Sequence, residues 1–134
     1  MKTLFIICGA LLLIYGCGGK DIPGERPEIS NLLCIPATVL VGPGPVLWTC
    51  QVDWSDTNSD ITTQSISWHN TSGTIVGSST SNPALPGLVT SGTYSFSIAS
   101  IPTTTTTTFT ADFYVTDSEG LNSNHLFSTL VVVQ

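Results

Sequence analysis

Beyond Arg26 this 134-residue chain contains no lysine or arginine. Against that absence stand seven acids: Glu28, Asp53, Asp56, Asp60, Asp112, Asp117 and Glu119. Nucleic-acid affinity is dominated by cationic contacts to phosphate, so a domain of this composition is not expected to bind nucleic acid. Histidine is equally scarce, with His69 and His125 as the two candidates for a general base or a strong metal ligand. They fall on different expected strands, with no HxH or HExxH spacing, no G-x-S-x-G elbow and no glycine-rich phosphate loop nearby. The sequence therefore predicts a non-catalytic chain with both histidines at its surface. Helical periodicity is missing after the first 28 residues. Long apolar runs are missing too, except Leu4 to Tyr15, which is too short to span a bilayer as a helix.

That single apolar run follows Met1-Lys2 and ends in Ile14-Tyr15-Gly16-Cys17-Gly18. A positive start, about a dozen apolar residues and a small-residue end describe an export signal. An aliphatic residue, two further residues and then cysteine resembles a bacterial lipoprotein signal, although Tyr15 stands where that motif usually has a small residue. The resemblance implies that residues 1–16 are removed and Cys17 is lipidated. It also implies export to the bacterial membrane, and to an outer membrane if the cell has one, since glycine rather than aspartate follows Cys17. Several acyl chains at about 0.8 kcal/mol per buried CH₂ hold firmly where one holds weakly. Residues 17–28, rich in glycine, proline and charge, read as a flexible tether.

Residues 29–134 number about a hundred, the size of one immunoglobulin-like sandwich. Phe109, Ala111, Phe113 and Val115 alternate with Thr110, Asp112, Tyr114 and Thr116, and the Asp117-Ser-Glu-Gly120 turn leads into a second β-rich run. Such alternation marks a half-buried hairpin, which needs further strands to cover its apolar face. Turn signals divide the chain into about seven strands: within 29–41, then 46–55, 61–69, a short one near 74–78, 93–101, 107–117 and 122–133. Val46, Trp48, Cys50, Val52 and Trp54 share one face, as do Tyr94, Phe96 and Ile98. The expected fold class is all-β, an immunoglobulin-like antiparallel β-sandwich of about seven strands.

Cys34 and Cys50 are the cysteines left after lipidation of Cys17, and an exported protein keeps such a pair oxidised. The Gly42-Pro43-Gly44-Pro45 turn lies midway between them, so a hairpin folded there sets the two residues opposite each other at disulfide distance. This register turns Ile35, Ala37, Val39 and Val41 outward, unless a kink at Pro36 rotates the second half of the strand inward. Trp48, Trp54 and Trp68 are expected in the core rather than on a sugar-stacking platform. The run Thr103 to Thr108 suits the start of a strand at the sandwich edge.

Val52 to Asp56 (VDWSD), Ser91 to Phe96 (SGTYSF) and Phe113 to Ser123 (FYVTDSEGLNS) together resemble the bacterial immunoglobulin-like, PKD-like and cadherin-like modules of surface proteins. The resemblance implies an adhesion, binding or assembly module tethered to the membrane, with a protein or glycan partner. A structural accessory subunit of an envelope complex and a carbohydrate-binding module are the alternatives. Immunoglobulin topology would gather Asp53, Asp56, Asp60, Asp117 and Glu119 at the tethered pole. Crowded carboxylates without a base invite a cation, and Ca²⁺ takes six to eight oxygens in flexible geometry. Cadherin-like modules are similar in placing calcium where a linker meets these loops. The competing reading is that these acids build the turns and stay solvated.

Overall fold

The structure, a computed structural model, describes residues 25–40, 47–85, 89–99 and 106–133. The signal, Cys17, Gly42 to Pro45 and Thr103 to Thr105 lie outside the described residues, as does Val46. Among the described residues there are eight strands: β1 (Glu28–Ile35), β2 (Thr38–Leu40), β3 (Leu47–Ser55), β4 (Ile61–His69), β5 (Ile75–Ser81), β6 (Ser91–Ala99), β7 (Thr107–Asp117) and β8 (Leu126–Val133). They form a three-stranded sheet in the order β1-β3-β6 and a five-stranded sheet in the order β2-β8-β7-β4-β5. The all-β sandwich expected from the alternation is thus the fold, with one strand more than the sequence suggested.

The extra strand comes from the first segment, which is divided between the sheets. Cys34 and Ile35 pair with Cys50 and Thr49, the Ile35–Pro36 bond is cis, and beyond it Val39 pairs in parallel with Val132 of β8. Val39 is therefore buried while Ile35 is exposed. Proline at the crossing lacks the N–H that would continue the first ladder. The pairing of β2 with β8 is parallel, so the sandwich is not wholly antiparallel. A second irregularity lies between Ser30 and Leu33, where Asn31 takes a φ of 54° and two β1 residues face the single residue between Asp53 and Gln51. This bulge shifts the side-chain phase by one, which is how both Ile29 and Cys34 come to face inward.

The core lies between the sheets. Trp48, Cys50, Val52 and Trp54 of β3 are buried, as are Phe109, Ala111, Phe113 and Val115 of β7. Trp48 meets Trp68 of β4 across the sandwich at a ring distance of 5.3 Å, and Phe96 of β6 stacks on Phe113 at 4.8 Å. Strand β8 begins at Leu126, later than the sequence suggests. Ser123 holds the intervening loop by donating its backbone N–H to the Val115 carbonyl and by accepting the Val115 N–H on its own hydroxyl.

Candidate functional site

The turns after β3 and β7 lie at the pole where the described chain begins. In the first turn Asp56 is 3% exposed, and its carboxylate accepts the N–H groups of Asn58 and Asp60. Its own N–H donates to Thr90 O, and the Ser59 hydroxyl donates to Val89 O, joining this turn to the segment before β6. In the second turn Asp117, also 3% exposed, accepts the N–H groups of Glu119 and Leu121, and Gly120 takes a φ of 83°. Both patterns are Asx turns, in which a short carboxylate satisfies backbone donors two and four residues on. A bond from the Ser118 hydroxyl to Asp60 links the two turns.

Protonation differs among these acids. Burial pushes the Asp56 carboxyl above the ordinary aspartate value of 3.8, aided by the nearby Asp60 charge and opposed by the N–H groups that it accepts. Asp53, half-buried on β3, is held below that value by hydrogen bonds from Thr93 and Asn31. Four of the five acids considered as calcium ligands are therefore spread over different tasks. Asp56 and Asp117 spend their oxygens on turn amides, Asp60 receives Ser118, and Asp53 braces the β1 bulge. Among the described residues no group of three or more His, Cys, Asp or Glu side chains is arranged to hold a metal ion.

The chain enters at the same pole. Ile29 N donates to Asn124 Oδ1 at 2.9 Å and Asn124 Nδ2 donates to Ile29 O at 2.8 Å, a reciprocal clamp between the start of β1 and the loop before β8. Thr57 donates to Glu25, and a recess of about 750 Å³ is lined by Arg26, Glu28, Ser55 and Asp56. Nothing in the sequence marks Asn124 for this role, because an asparagine in a polar loop looks the same whether or not it is clamped.

The remaining candidates take no part in these turns. His69 bonds Ser67 and the Gly73 carbonyl, while His125 pairs with Asp112 at 2.8 Å and stacks on Tyr114. The two histidines thus lie in separate environments. Trp48, Trp54 and Trp68 are 0%, 5% and 3% exposed, which places them in the core as expected and leaves none as a stacking face. Between β5 and β6 runs a second recess, of about 260 Å³, floored by Trp68, Phe96 and Phe113 and rimmed by Ser78, Ser79 and Ser97. No ionisable residue lines it.

No protein-family model and no curated protein matches the sequence. Among solved structures the chain is similar to a superoxide reductase (neelaredoxin) from Ignicoccus hospitalis. The identity is 10% and the TM-score 0.39, over 81% of this chain and 80% of that one. The expectation of a non-catalytic chain is corrected to this extent: the similar structure is an enzyme by name. At that identity and TM-score the likeness assigns no activity and no cofactor to this chain.

Proposed function

We propose that the protein is an exported, lipid-anchored envelope module of the immunoglobulin-like, PKD-like or cadherin-like kind, and that it acts by binding another protein. The observation that carries this reading is the apolar run ending in Gly16-Cys17-Gly18-Gly19, followed within about ten residues by a sandwich whose first strand is clamped at one pole. A lipid at Cys17 and 11 tether residues spanning at most roughly 36–40 Å would hold that acidic pole toward the bilayer. The opposite pole, including the turn of residues 70–74, would face away from it. A protein partner fits better than a glycan stacked on tryptophan, because all three tryptophans are enclosed.

Membrane fractionation of cells expressing Cys17→Ala tests the anchor. The variant is expected to move to the soluble fraction or to accumulate as unprocessed precursor. Detergent partitioning identical to that of the unaltered chain would refute the reading.

A further inference from the structure

Strand β5 turns its smallest residues toward the interior. In the ladder with β4, Gly77 stands opposite Trp68, Ser79 opposite Ile66 and Ser81 opposite Gln64. Directly opposed residues share a face of the sheet, and both Trp68 and Ile66 are buried, so this face is the one turned toward the other sheet. On the same face β7 presents Phe109, Ala111, Phe113 and Val115, all buried. The pattern is inverted in β5: its aliphatic Ile75 and Val76 are exposed, while Gly77, Ser79 and Ser81 leave unfilled the space that valine or leucine would occupy.

The consequence is the recess of about 260 Å³ between β5 and β6, with Trp68, Phe96 and Phe113 as its floor. Phe96 and Phe113 stack there with 15° between their planes. At one end a chain of hydrogen bonds crosses from sheet to sheet. The Tyr94 hydroxyl donates to Gln64 Oε1 at 2.7 Å, and Gln64 Nε2 donates to Ser81 Oγ at 2.8 Å. Gln64 thereby engages both ends of its amide, whereas the Ser81 hydroxyl, having accepted one bond, still has its own proton to donate. Ser79 sets a second hydroxyl two residues along the same face.

We propose that this recess binds one small, uncharged molecule made of fused apolar rings and carrying a hydroxyl or carbonyl group. Its rings lie against the aromatic floor, where offset and tilted ring contacts are favourable. Its oxygen accepts the Ser81 proton. A charged ligand is disfavoured because no ionisable residue lines the recess, and burying an unpaired ion costs far more than ring contacts return. Size is limited as well, since the volume lies below the roughly 300 Å³ at which pockets for drug-sized ligands begin. This site goes beyond the proposed envelope role and does not depend on it.

The test is equilibrium dialysis of naphthol, fused rings with a single hydroxyl and no charge at neutral pH, against the full chain in lipid nanodiscs. Saturable uptake beyond that of empty nanodiscs is expected. Naphthalenesulfonate, the same rings with a fixed negative charge, is expected to bind at least about tenfold more weakly. Ser79→Leu fills the recess from within and is expected to abolish the uptake without lowering the denaturant midpoint. Thr80→Leu, on the opposite face of β5, is expected to leave the uptake unchanged. Absence of saturable uptake, equal affinity for the sulfonate, or uptake that survives Ser79→Leu would overturn the site. The comparison of the two ligands needs no variant, so it decides the matter even where Ser79→Leu fails to fold.

Discussion

Asp53 and Asp56 stand three residues apart on the chain and respond to protons in opposite directions. Asp56 is raised by burial, so below the ordinary value of 3.8 it adds stability that is lost as pH rises through its folded value. Asp53 is lowered by hydrogen bonds, so its contribution is present above 3.8 and is lost as pH falls through its folded value. Carboxyl NMR titration is expected to place the two midpoints on either side of 3.8. Denaturant unfolding of Asp56→Asn is expected to show a smaller fall in stability from acid to neutral pH than the unaltered chain. An unchanged pH profile would mean that Asp56 bears no such cost. The turn-forming role of these acids is legible in Asp56-Thr-Asn-Ser and Asp117-Ser-Glu-Gly. What their oxygens bind is not legible, because spacing suited to backbone amides two and four residues on is also spacing suited to a cation.

At the scale of strands, period-two alternation identifies β3, β6 and β7 because each buries one face, and a slip of one residue would expose the whole apolar set. The first segment is harder to read. The proline marks a break, but the partner of its second half, β8, lies some ninety residues away and leaves no local trace. The bulge at Asn31 is hidden for a related reason: it reveals itself only by bringing Ile29 and Cys34 to the same side. The Cys34–Cys50 bond itself was readable from the proline-glycine turn midway between the two residues, and in the structure their Cα atoms are 4.0 Å apart. It closes a loop with a sequence separation of 16, for which chain entropy gives about 3 kcal/mol. Replacing both cysteines with serine is expected to lower the unfolding free energy by about 2–4 kcal/mol in denaturant titration. A loss below about 1 kcal/mol would mean that the bond constrains little.

For the molecule as a whole, Asp53, Asp56, Asp60 and Asp117, at the pole where the described chain begins, are engaged with turns, a bulge and a neighbouring hydroxyl rather than gathered around one point. Melting is accordingly expected at the same temperature in millimolar Ca²⁺ and in excess chelator. A calcium-dependent rise would show that these oxygens can leave their amides for a cation. The divided first segment bears on a different property, the path of force. A pull applied at the N-terminal end, as from an anchor, would peel β1 away from β3 starting at Glu28. The opening crack would stop at Cys34, where a covalent bond passes the load to β3, the central strand of its sheet. Residues beyond Pro36, and the five-stranded sheet that they join through β2, would be shielded from tension. Under such a pull the stretch before Cys34 would act as a mechanical fuse about six residues long, giving up Ile29 while the rest of the apolar core keeps its shape.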